Sequence, residues 1–126
     1  MNLKASDSKM CEFKVYILEN GEMKKIAEEI IKAKLENGYI ELNDILGSSK
    51  KVENALIEEI NVSKESLTLK KVFIFPELMN FLRIYKESEE KCIYTPEIEV
   101  AWEEVKAKGD ELIKTLWKKY GRKPLK

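Results

Sequence analysis

Asn20-Gly21-Glu22-Met23-Lys24-Lys25-Ile26-Ala27-Glu28-Glu29-Ile30-Ile31-Lys32-Ala33-Lys34-Leu35-Glu36-Asn37-Gly38 is the stretch on which the fold turns. Met23, Ile26, Ala27, Ile30, Ile31 and Leu35 recur at helical spacing, and Glu, Lys and Ala are good helix formers, so propensity predicts a helix. Ala27, Ile31, Ala33 and Leu35 also share one face of a strand, and an Asn-Gly pair stands at each end. Asn-Gly readily supplies the positive φ values of a tight hairpin turn, so the flanks predict a strand. On these residues alone both readings stand.

Upstream, Phe13, Val15 and Ile17 alternate with Lys14, Tyr16 and Leu18, which predicts a strand over about 11–18 that doubles back at Asn20-Gly21. Parity places Cys11 on the Phe13/Val15/Ile17 side, at the open end of that strand. Residues 1–9 are polar and without periodicity and read as a flexible leader; Met10 offers a second start.

Downstream, Tyr39-Ile40-Glu41-Leu42 reads as a short strand and 43–49 as a loop, in which Asp44 is an isolated carboxylate with a solvated or capping role. Residues 52–62 are extended, Ser63-Lys64-Glu65-Ser66 turn, and Leu67-Thr68-Leu69 leads through Lys70-Lys71 into Val72-Phe73-Ile74-Phe75. Four or five short strands joined by tight turns within about 65 residues predict a meander curled into a small barrel.

At Pro76 the pattern changes. A short helix is expected through Leu78, Met79, Phe81, Leu82 and Tyr85 to the charged run 86–91, followed by a link at Cys92-Ile93-Tyr94 whose apolar neighbours suggest a buried structural thiol. A second helix is expected with Thr95 as N-cap and Pro96 at N1. In it Ile98, Val105 and Leu112 repeat every seven residues, interleaved with Trp102, Gly109 and Leu116, and Trp117 and Tyr120 widen the stripe. Gly121 ends that helix, and Pro124 prevents its resumption. The tryptophans read as core packing or a dimer seam. The chain is therefore α+β: a β-barrel over 10–75 and a helical C-terminal extension over 76–126.

Composition narrows the chemistry. The 126 residues carry 23 Lys plus Arg against 23 Asp plus Glu, a balance with no bulk attraction to nucleic acid or membrane. No apolar run is long enough for a membrane span and the start lacks a signal-peptide apolar core, so a cytoplasmic protein is expected. His is absent, which excludes Ser-His-Asp and Cys-His nucleophiles and every His-containing zinc site. Glycines at 21, 38, 47, 109 and 121 are too scattered for a phosphate loop. Nothing points to catalysis, and the two cysteines, Cys11 and Cys92, are expected to be reduced.

Taken in order, Met10-Cys11-Glu12-Phe13-Lys14-Val15-Tyr16, Ile26-Ala27-Glu28, Ile45-Leu46-Gly47 and Val52-Glu53-Asn54-Ala55-Leu56-Ile57 resemble the CooT family of small nickel-binding proteins, also described as predicted RNA-binding proteins. The likeness covers about 10–71. It implies an SH3-like or Sm-like barrel that forms a homodimer, and so a strand over 22–36. It implies a Ni(II) ligand at Cys11, aided by the main-chain nitrogen of Met10, and as partners a nickel-dependent enzyme or its maturation proteins. Ni(II) favours square-planar nitrogen and sulfur donors, and a Cys beside a chain terminus supplies thiolate, amine and ionisable amide together. That donor set requires the native chain to begin at Met10, and the resemblance offers no template for 76–126.

The alternative is an RNA-binding module on the same barrel, with Lys50, Lys51, Lys64, Lys70 and Lys71 as a basic face and Tyr39, together with Tyr16, for base stacking. Each lysine pair also suits a solvated strand edge.

Overall fold

In a computed structural model that describes residues 11–121, the chain between the two Asn-Gly pairs is extended. Strands β1 (Phe13–Glu19) and β2 (Glu22–Leu35) form an antiparallel hairpin in which Glu19 faces Glu22. Asn20 and Gly21, at φ 54° and 77°, make the turn that their identities predict. At the second pair only Gly38 takes a positive φ, 84°. Glu36 N–H there donates to the Tyr39 carbonyl at 2.8 Å, closing the turn into β3 (Tyr39–Asp44).

The helical spacing within β2 has a definite origin. Its pairing shifts register twice against β1 and once against β3, each time by one extra residue on β2. Ala27 lies opposite Val15, Ile30 opposite Phe13 and Ala33 opposite Leu42, so inward positions recur every third residue instead of every second. Simple alternation expects Ile31 inside with Ala27 and Ala33. Instead Ile30 is buried and Ile31 exposed, because the bulge region, with Glu29 at φ 56°, reverses the parity. Helix propensity loses because β2 bonds to β1 along its first half and to β3 along its second, satisfying its backbone in the sheet.

The sheet continues through β4 (Ser49–Glu53), β5 (Ala55–Asn61) and β6 (Ser66–Lys71). Its order is β4-β3-β2-β1-β6-β5, with β1 and β6 parallel and every other pair antiparallel. The two edges, β4 and β5, are consecutive in the chain and separated by Asn54 alone, so the sheet curls until the chain itself bridges them. Asn54 does this in the left-handed region, φ 55°; its N–H donates to the Gly38 carbonyl at 2.9 Å and its carbonyl accepts from Val72 N–H at 2.7 Å. The extended run expected over 52–62 is thus two strands meeting at a corner. Inside the curl lie Val15, Ile17, Ile30, Ile40, Leu42, Val52, Ala55, Leu67 and Leu69.

Contacts divide the chain into Met1–Phe73 and Ile74–Lys126. In the second unit, α1 (Phe75–Lys91) starts one residue before Pro76 and ends in the charged run, as the sequence predicts. Helix α2 (Glu97–Tyr120) returns along it. Phe75, Ile84, Ala101 and Val105 are buried, and the Phe81 and Trp102 rings stand 5.2 Å apart.

Two local expectations fail here, at Thr95 and at Cys92, while Gly121 does end the last helix. Thr95 is not the cap: α2 begins after Pro96, the Thr95 hydroxyl has no hydrogen-bond partner, and Ile98 N–H is taken by the Thr95 carbonyl at 3.1 Å. Gly121 ends α2 in a right-handed conformation, whereas the left-handed helix end belongs to Cys92, φ 55°, which terminates α1 with its N–H on the Glu89 carbonyl. Cys92 is exposed together with Ile93 and Tyr94, against the burial that its neighbours suggest, because this link forms the outer turn of the helical hairpin. Pro124 and the 1–9 leader lie outside the described residues.

Candidate functional site

Cys11 lies two residues before the start of β1, with its thiol reduced and exposed. Two residues on, Phe13 lines an apolar cleft of about 190 Å³ with Ile30, Ile31, Ala33, Ile57, Ile60 and Leu67. Two residues of extended chain span about 7 Å, so the thiol belongs to this end of the barrel. The cleft opens between β2 and β5, where Ile31, Ile57 and Ile60 are 40%, 38% and 59% exposed. Its rear wall is core, since Ile30 and Leu67 are 4% exposed each. A solvent-facing thiol thus lies two residues along the chain from an open apolar surface, without being part of that surface's lining.

Among the described residues no three Cys, Asp or Glu side chains converge in a way that could hold a metal ion. Cys11 offers a single sulfur atom; Met10, named from the sequence for its main-chain nitrogen, lies outside the described residues. Cys92 is in the other unit and exposed at the helix turn. Asp44 is committed to its own hairpin: one carboxylate oxygen accepts from Leu46 N–H at 3.0 Å and Ser48 N–H at 2.9 Å, a turn-capping role.

The lysines of the RNA reading are not gathered on one face. Lys50 and Lys51 are adjacent on β4 and so point to opposite sides of the sheet. Lys50 Nζ donates to the Ile26 carbonyl at 2.9 Å, and Lys51 Nζ sits 4.3 Å over the Tyr39 ring, on the face a base would use. Lys70 pairs with Glu58 at 3.7 Å, and Lys71 donates to the Glu53 carbonyl at 2.8 Å. A different group comes together instead: Lys14, Tyr16, Met23, Glu59, Asn61, Lys64, Ser66 and Thr68 line a shallow groove of about 410 Å³ across β2, β1, β6 and β5, with the Glu59 carboxylate set among the two lysines. Tyr16 and Lys64 are legible in the sequence, but their meeting with Lys14 depends on the parallel β1–β6 pairing, which no local signal announces.

Among the described residues no helix is long and apolar enough to cross a membrane. No curated protein sequence matches the chain. Among solved structures, a crystal structure assigned as CooT from Carboxydothermus hydrogenoformans is similar at 21% identity and a TM-score of 0.44, covering 48% of this chain and 97% of that one. The family model described as CO dehydrogenase accessory protein CooT matches residues 10–70, from the Met-Cys pair through the last strand of the barrel. The barrel segment of this chain belongs to the CooT family.

Proposed function

We propose that the protein is a non-enzymatic nickel carrier that serves a nickel-dependent CO dehydrogenase or its maturation proteins, with Ni(II) as cargo bound through Cys11. The observation that carries this reading is the exposed Cys11 thiol at the start of the segment matching the family of CO dehydrogenase accessory proteins. The donor chemistry fits: a thiolate is the soft ligand in the described barrel, and without histidine few other groups discriminate nickel from harder cations.

One thiolate does not fill a square-planar ion. In a homodimer formed over the Phe13/Ile57/Ile60 cleft, two Cys11 thiolates meet beside their main-chain nitrogens and share one ion. Burial of the cleft supplies the hydrophobic contribution to association. An exposed rim position lets the ion leave when a partner offers a better-shaped donor set.

Titration of the metal-free protein with Ni(II), for the full chain and for one beginning at Met10, is expected to give a thiolate-to-nickel charge-transfer band at half an ion per chain. The Cys11→Ser variant is expected to lose it. Absence of the band from both parent forms rejects nickel carriage. The RNA reading is favoured in this fold by the Lys14/Tyr16/Lys64 groove. It requires RNA binding that weakens steeply with salt and is lost in Lys14→Glu with Lys64→Glu.

A further inference from the structure

The two helices are unequal: α1 has 17 residues and α2 has 24. Ile74, the residue that caps the start of α1, places its Cδ1 3.8 Å from where a side chain on Gly109 would begin. Gly109 thus marks where α1 starts, and 110–120 extend beyond it by roughly 16 Å at 1.5 Å per residue. Over the part that α1 covers, Ala101 and Val105 are 2% and 8% exposed. Over the overhang the same stripe continues as Leu112, Ile113, Leu116, Trp117 and Tyr120, yet Ile113 is 67% and Leu116 59% exposed, with Trp117 and Tyr120 at 53% and 54%. Gly109, Ile113, Leu116 and Tyr120 follow one another at steps of four, three and four, the spacing of a helix–helix seam.

We infer that the α2 overhang is an antiparallel self-association surface whose occupant is the same segment of a second copy of this chain. Charge favours that occupant. The overhang is acidic at its start, Asp110 and Glu111, and basic at its end, Lys114, Lys118 and Lys119. The whole helix repeats this order, from Glu97, Glu99, Glu103 and Glu104 to the same lysines. A second copy laid antiparallel brings acidic starts beside basic ends and opposes the two helix dipoles favourably, whereas parallel pairing sets like beside like. The Lys108–Glu111 contact at 3.7 Å is exposed and leaves Glu111 accessible to such a partner. A two-fold arrangement also covers both stripes with one contact. The exposed apolar side chains bring on the order of 500 Å² per copy, about the total of 1,000 Å² at which specific association begins. This surface lies in the helical unit and does not depend on nickel or on Cys11.

The test is sedimentation equilibrium of the full metal-free chain from about 1 to 100 µM, carrying Ile57→Glu with Ile60→Glu throughout to remove association over the barrel cleft, with circular dichroism confirming helix content in every variant. Ile113→Glu with Leu116→Glu is expected to weaken self-association at least tenfold. Asp110→Lys with Glu111→Lys, which leaves the apolar stripe and the helical core intact, is expected to weaken it several-fold, and adding Lys118→Glu with Lys119→Glu is expected to restore it. A chain that stays single at 100 µM overturns the inference. So does a dissociation constant unchanged by both sets, and so does loss of thermal stability in the glutamate variant at unchanged mass, the signature of an intramolecular cover. Weakening without rescue by the second charge set overturns the antiparallel arrangement.

Discussion

Asn54 has a larger task than its polar side chain suggests. It stands between the two edges of the sheet, takes a left-handed backbone, and ties both neighbouring turns through its own N–H and carbonyl. Asn tolerates that conformation better than other residues with a Cβ, and Gly tolerates it freely. Asn54→Gly is therefore expected to change stability by less than about 0.5 kcal/mol and Asn54→Ala to cost about 1 kcal/mol, as read by urea denaturation. An equal, large loss in both variants would assign the role to the side-chain amide. Cys92 offers the converse case. It occupies a left-handed helix end where glycine is usual, so Cys92→Gly is expected to raise stability by about 0.5–1 kcal/mol, measured as a shift in thermal midpoint. Cys11 differs from both, since it lies outside the strand and its loss is expected to leave stability unchanged while removing the nickel charge-transfer band.

At the scale of the element, β2 shows how a periodicity misleads. Its inward residues come every third position because three bulges interrupt the alternation, and a spacing of three sits close to the helical 3.6. Bulges are set by what lies across the ladder, so the strand is not legible from its own residues; the Asn-Gly pairs at its ends are the local evidence for it. The turn at Asn20-Gly21 can be read directly because φ preference belongs to the residue itself. Gly21→Val, which forces a β-branched residue to φ 77°, is expected to destabilise the barrel by about 1–2 kcal/mol, as measured by denaturant midpoint. The helices invert the contrast. Their apolar stripes predict them well, but the caps do not follow: Thr95 is passed over, and the left-handed position falls on Cys92 in place of a glycine.

For the whole molecule, the barrel works by joining its edges through the chain. A sheet of six strands with free edges would expose two rows of backbone donors and acceptors; here β4 runs into β5 and the curl closes around nine apolar side chains. Leu42 and Leu69 are fully buried at its centre. Leu42→Ala is expected to cost about 2–5 kcal/mol in the barrel, and the helix signal above Phe73 should be retained if the two units unfold separately. Calorimetry resolving two transitions, the lower shifted by this substitution, would check it; one joint transition would show that the units melt together.

The lysines named for RNA illustrate the limit of reading pairs in sequence. Neighbours on a strand face opposite ways, so Lys50-Lys51 and Lys70-Lys71 disperse their charge instead of concentrating it, while Lys14 and Lys64, fifty positions apart in the chain, line one groove. What the sequence by itself determined is what depends on single residues and short periods: the first hairpin turn, the alternation of β1, the two helices, the absence of histidine chemistry, and Cys11 as a thiol worth testing. Only the tertiary structure decided that β2 is a bulged strand, that β1 and β6 run parallel, that Asn54 joins the edges, and that the stripe of α2 outlasts its partner helix. Each of these is a contact between residues distant in the chain, and pairing and burial energies of that kind outweigh the fractions of a kcal/mol by which local propensities differ.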